Sequence, residues 1–146
     1  MANSDVEIFN NLMSGNGTVN LSIVSYGDET DDPNYYPHPK NIQVHGNTYG
    51  PSGFDPDIDT GDLAKALFEI SGGNMPDIFW DGIVPISQII FGQPDDEKLI
   101  IAEKDATFLT IKPIKYMLGL SDPVNTNKND FKGDISPLEK ITIETF

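Results

Sequence analysis

The sequence predicts a mainly β protein: a single-domain β-sandwich of jelly-roll type over residues 1–146, with at most one or two short helices. Three observations carry that expectation. At least five segments alternate apolar and polar residues at period two, the spacing of a half-buried strand, while only two stretches carry helical spacing. The chain holds 13 glycines and 11 prolines, enough turn chemistry to separate six to eight short strands. Its 146 residues can bury one core without staples, and no cysteine is present to supply them.

Taken in order, Asp5 to Met13 places Val6, Phe9 and Leu12/Met13 at helical spacing behind Ser4, and both a short helix and a frayed strand fit. Thr18 to Tyr26 alternates Val19, Leu21 and Ile23 with Asn20 and Ser22, a strand. Gly27 to Lys40 is an acidic, proline-bearing loop, long enough to suspect a functional role. Asn41 to His45 is a second strand. Leu63 to Ser71 reads two ways. Leu63, Ala66, Leu67 and Ile70 share a helical face, whereas Ala64, Ala66, Phe68 and Ile70 share a strand face. Ala, Lys, Leu and Glu favour the helix. Ile78–Trp80, Ile83–Val84 and Ile86–Phe91 are short apolar runs split by Asp81-Gly82 and Pro85. Lys98–Ala102 and Thr107–Ile111 are expected to pair as a hairpin across Glu103–Ala106. Tyr116–Leu120 suits one helical turn or a strand end, Ser121–Ser136 a loop, and Leu138–Phe146 a closing strand. No internal repeat is evident in the sequence.

The charge is one-sided. The chain carries 23 acidic and 9 basic residues, a net −14, and none of the basic residues is arginine. Arginine is the preferred fork for phosphate, so nucleic-acid binding is not expected. No run approaches the roughly 18 apolar residues of a membrane span, and the N-terminus lacks a secretory pattern, so a soluble protein with no membrane role is expected. Three sources of acidity rank in order: a solvated surface, calcium sites, and mimicry of a nucleic acid.

Oxygen-rich loops supply the candidate chemistry. Asp55-Pro-Asp57-Ile-Asp59 presents carboxylates at alternating positions, as calcium loops begin. Thr60 and Ala66 stand where an EF-hand needs glycine and glutamate, so that motif is not met. Asn125, Asn127, Asn129, Asp130 and Asp134 form a second such stretch, although Asn, Asp and Gly are also ordinary turn residues. Tyr35 and Tyr36 offer aromatic faces on which sugar C–H groups could stack. His38 and His45, the only histidines, lack zinc-ligand spacing. No phosphate loop, nucleophile elbow or framed carboxylate pair is found, and the protein is expected not to be an enzyme.

Gly46–Pro51, Gly53–Asp57, Ala66–Ile70 before a glycine pair, Lys98–Asp105 and Asn129-Asp130 together resemble the LecA-type calcium-dependent galactose-binding lectins and related carbohydrate-binding domains. That resemblance implies a small β-sandwich whose calcium bridges protein oxygens and sugar hydroxyls. It implies the Tyr49 backbone carbonyl, Asp105, Asn129 and Asp130 as metal ligands, with Asp57 near the sugar rim. The galactose-contacting histidine and glutamine of that family stand here as Asp55 and Ile58, so galactose itself is not implied. The function expected from the sequence is therefore a calcium-dependent module binding a sugar or other polar small ligand at Asp55, Asp57, Tyr35 and Tyr36. Two alternatives stay open. One is a small acidic interaction protein, such as a phage-encoded inhibitor or nucleic-acid mimic, that binds a basic protein partner. The other is a virion or assembly component whose strand edges pair with neighbours, which includes a homo-oligomer.

Overall fold

Successive strands of this chain stack on one another in parallel, coil upon coil, where a jelly roll would fold them into antiparallel hairpins. The computed structural model describes residues 3–27, 32 and 34–138. The first pass of the chain lays down β1 (Ser4–Phe9), β2 (Leu12–Met13) and β3 (Leu21–Ile23). The second lays β4 (Lys40–His45), β5 (Thr48–Tyr49) and β6 (Ile78–Trp80) against them in the same order. The third adds β7 (Leu99–Ala102) to β4 and β8 (Phe108–Ile111) to β6, and β9 (Val124–Asn125) closes the last sheet antiparallel to β8.

The register exposes the repeat that the sequence reading missed. Ser4 pairs with Lys40 and Leu12 with Thr48, both at an offset of 36 residues. Residues 4–17 thus lie on residues 40–53, with Val6 over Ile42, Glu7 over Gln43 and Ile8 over Val44. Backbone conformation repeats as well. Asp5 and Asn41 both have positive φ (57° and 50°), and so do Asn10 and Gly46 (56° and 63°), which turn the chain out of β1 and β4. Short polar residues and glycine tolerate this region best. The excursion through α1 (Asp62–Ile70) then lengthens the offset to 57 residues between Leu21 and Ile78.

Alternation within each strand selects one face for the interior. Ile42, Val44, Leu99 and Ile101 from one sheet meet Ile23, Ile78, Trp80 and Phe108 from another in a single core. The opposite face of β6 and β8 is covered too: Phe79 and Leu109 pack with Leu67 of α1. Burial on both faces explains why these strands read as apolar runs.

The expectation of a jelly-roll sandwich is corrected on these grounds. Helix and strand are similar in amount, 21% and 26%, and the sheets are small, parallel or mixed. Besides α1 there are α2 (Ile86–Phe91) and α3 (Pro113–Met117) among the described residues, more than the one or two helices expected. Leu63–Ile70 is helical, so the resemblance to a lectin strand at Ala66–Ile70 has no structural counterpart there. Of the helical face anticipated, only Leu67 is buried; Ala64 joins it, while Leu63 and Ile70 face solvent. β7 and β8 belong to different sheets, so the Glu103–Ala106 hairpin becomes a corner between two sheets within the third coil. Asp5–Met13 forms strands, and Ser121–Ser136 contains β9 and a 3-10 turn at Lys128–Phe131. The closing strand and part of the Gly27–Lys40 loop lie outside the described residues.

Candidate functional site

An amphipathic groove lies between α2 and α3, and local sequence dictates both walls. Pro85 precedes α2, and Gly92, with φ of 89°, releases the chain at its end. Pro113 occupies the first turn of α3, where its missing N–H costs nothing. The groove encloses about 360 Å³. Its apolar lining includes Val84, Ile89, Ile111, Ile114 and Phe131, with Lys112, Lys115, Asn125 and Asp130 among the polar groups. Around it the surface is unusually greasy. Phe91 is 86% exposed and Met117 83%, with Ile86, Ile90, Leu118 and Leu120 also facing solvent. Side chains this apolar are rarely left uncovered together unless the surface binds something.

Two buried polar atoms define the groove chemically. The indole Nε1 of Trp80 and the amide Oε1 of Gln88 have no hydrogen-bond partner, and they are the only such buried side-chain atoms among the described residues. Both residues line the groove. Gln88 is fixed through its other amide atom, since Nε2 donates to Glu97 Oε2. An unmade bond at a buried polar group costs about 1–3 kcal/mol, so native folds rarely leave one. Here one donor and one acceptor are left on residues that line the same groove, Trp80 from β6 and Gln88 from α2. Sequence reading noted Trp80 only as part of an apolar run. Its being the chain's one tryptophan, just before Asp81-Gly82, was the available signal.

A second cluster joins Ser25, His38 and Asp81, which the sequence separates widely. Ser25 Oγ lies 3.4 Å from His38 Nδ1 and also donates to the Ile83 carbonyl at 3.3 Å. The Asp81 carboxylate accepts from the backbone N–H of Ser25 (2.5 Å) and of Ile83 (3.1 Å). Those residue types suit a nucleophilic triad, but here the acid anchors two backbone amides and makes no hydrogen bond to the imidazole. The cluster is a brace between coils. Burial pushes the Asp81 carboxyl above its ordinary range, partly offset by its backbone bonds, and burial pushes His38 below its own.

The sign follows for His38. Its folded form binds a proton less readily than the unfolded chain, so its contribution is present above the ordinary value of 6.5 and lost as pH falls. Denaturation midpoints at neutral and mildly acid pH should therefore show wild type losing stability relative to His38→Gln on acidification. An identical pH dependence for both proteins would show that His38 is not buried in this brace.

The residues expected to bind calcium are distributed as follows. Tyr49 and Asp105 line one polar cavity of about 420 Å³ together with Asp77 and Glu103. Two of its acids are already engaged. Glu103 Oε1 accepts from Asn47 N (3.1 Å), Asn47 Nδ2 (2.7 Å) and Tyr49 Oη (3.2 Å), while Asp77 Oδ2 accepts from Thr107 N and Oγ1 (2.9 and 2.7 Å). Asn11 extends the Asn47–Glu103 ladder to the first coil at 2.9 Å, so this corner ties all three coils together. Burial, with Glu103 beside it, raises the Tyr49 phenol well above its ordinary value. Asn129 and Asp130 sit in the Lys128–Phe131 turn, where the Asp130 carboxylate is held by Asn125 (2.9 Å) and Asn127 (2.6 Å). It is the Lys128 ammonium that bonds the carbonyls of Lys104 and Ala106, each at 2.7 Å. The described residues hold no group of three or more acidic or histidine side chains arranged for a metal.

The expected sugar-binding residues are placed as follows. Asp57 is fully exposed and closes the turn before α1 by accepting from Thr60 N and Oγ1, which holds its carboxyl below the usual range. Asp55 is exposed in the preceding bend. Tyr35 donates to the Tyr26 carbonyl at 3.1 Å, and its ring meets Tyr26 edge-on. Tyr36 packs edge-on to His38 beneath the Lys40 ammonium.

No protein-family model, curated protein or solved structure matches this chain. The site's own chemistry is what bears on function.

Proposed function

We propose that this protein is a binding module, not a catalyst, whose α2–α3 groove docks an apolar peptide segment of a partner protein. The observation that carries the reading is the pair of unpartnered buried atoms, Trp80 Nε1 and Gln88 Oε1, on the wall of one apolar groove. A peptide backbone carries both kinds of missing partner, a carbonyl for the indole N–H and an amide N–H for the glutamine oxygen. The exposed apolar residues of α2 and of the turn after α3 extend the contact, in the manner of segments seated between helices. Among the alternatives weighed from sequence, this favours an interaction protein over a calcium-bridged sugar binder.

The experiment selects peptides from a random display library on the immobilised protein and titrates them while following tryptophan emission. With a single tryptophan in the chain, emission reports on the groove wall directly. Selected apolar peptides should shift that emission, and Gln88→Leu, which keeps the shape and removes the acceptor, should weaken them about tenfold, some 1.4 kcal/mol. Peptides that bind without altering Trp80 emission, and equally to Gln88→Leu, would overturn the groove. A parallel melt with calcium and a galactoside separates the readings. A rise of several degrees that Asp105→Asn abolishes would favour the calcium-dependent module.

A further inference from the structure

The two ends of the coil stack are finished differently. At the third-coil end Phe131 packs edge-on against Trp80 (ring centroids 5.5 Å apart) and Phe108 (5.0 Å), covering the core. At the first-coil end β1, β2 and β3 are the outermost strands of all three sheets, each paired on one side only among the described residues. Val6, Ile8 and Leu21 are only partly buried there, and a cavity of about 110 Å³ lies between β1 and β3. Coil stacks need a cap at each end.

The composition of that end is the second observation. From Ile8 to Gly27 there is not one charged residue, although 22% of the chain is charged and about four would be expected in such a stretch. Proteins ordinarily protect strand edges with charge, lysine above all. The two acids of β1 are turned to the second coil: Asp5 accepts from Asn41 Nδ2 at 2.6 Å, and Glu7 lies 2.9 Å from His45 Nε2. Leu12, on the β2 edge, is 76% exposed.

We infer that the first-coil end is a self-association surface whose occupant is the first coil of a second copy. A molecule of net −14 repels its like everywhere except where charge is absent, so this end is where two copies can meet. Another first coil presents three strand edges at matching positions, and a two-fold axis pairs them antiparallel. The opposite end differs: the 3-10 turn at Lys128–Phe131 lies against β7 and β9 runs antiparallel to β8, so it does not offer three parallel edges for head-to-tail growth and assembly stops at two.

Sedimentation equilibrium of the full chain at low and high salt tests this. The expected species is a dimer of the 16.0 kDa chain, tighter at high salt because screening removes general repulsion and no attractive charge pair is lost. Leu12→Lys on β2 and Ser22→Lys on β3, both at exposed positions, should each give monomer with an unchanged circular dichroism spectrum. Phe91→Asp, beside the groove, should leave the dimer intact. A wild-type monomer throughout, association abolished by salt, open-ended polymers, or a dimer lost in Phe91→Asp but kept in both lysine variants would each overturn the inference.

Discussion

Replacing Phe79 by alanine should cost about 3–5 kcal/mol, the range for a large side chain removed from a packed interior. Phe79 is 1% exposed and points out of β6, away from the core shared by the coils. It meets Leu109 of β8 and Leu67 of α1, and so carries the contact that holds the helix to the sheet. Small domains are stable by only about 5–15 kcal/mol, so this one change removes a large share. At about 2–4 °C per kcal/mol for a chain of this size, the midpoint should fall by roughly 10 °C. Phe54→Ala is the control: that ring is 65% exposed, and its loss should move stability by no more than about 0.5 kcal/mol. Urea denaturation of the two variants reads the difference. Similar losses for both would mean that α1 is not seated on Phe79.

Gly82→Ala should be nearly as damaging, for a different reason. Gly82 has φ of 63°, where an L-residue costs about 1–2 kcal/mol. An added Cβ would also fall 1.8 Å from the Ile111 carbonyl oxygen and 2.9 Å from Thr110 Oγ1. The first overlap is with backbone, which cannot swing aside as a side-chain tip can. β8 and the loop after β6 would have to separate, adding about 1–3 kcal/mol of packing strain. Gly72 isolates the two terms. It too has positive φ, 62°, but nothing lies within 4 Å of its notional Cβ. Gly72→Ala should therefore show the conformational cost alone. Equal losses in the two variants would rule out the close approach to Ile111. Because Gly82 lines the groove, Gly82→Ala should also weaken peptide binding, whereas Phe79→Ala acts on the far face of the same strand.

Much of the local structure follows from the residues themselves. Alternation of Leu21 with Ser22 and Ile23 places a strand where it occurs, because inward and outward positions differ in burial, and Ile42 and Val44 likewise mark β4 although Gln43 between them is buried as well. Ala, Lys, Leu and Glu between Asp62 and Ile70 carry a helical preference that the structure follows. The absence of charge from Ile8 to Gly27 is equally plain in the sequence, although only the fold gives it a location.

What alternation leaves open is the neighbour. Period two is the same in parallel and antiparallel sheets, so residues 99–102 and 108–111 read as a hairpin when they are rungs of two different sheets. The 36-residue repeat was hidden because each stacked position needs only compatible shape and backbone conformation. Val6 over Ile42 and Asn10 over Gly46 satisfy that without being identical. The groove was hidden for a related reason. Trp80, Gln88, Ile114 and Phe131 come from four segments, and whether a buried indole N–H has a partner depends on every chain that packs around it. The sequence by itself determined where several of the strands run, that residues 63–71 carry a helical preference and where charge is missing, because those are properties of a residue and its near neighbours. The tertiary structure alone decided the parallel coil, the unpaired edges of the first coil among the described residues, and the two buried atoms without a partner among them, because each depends on contacts between residues tens of positions apart.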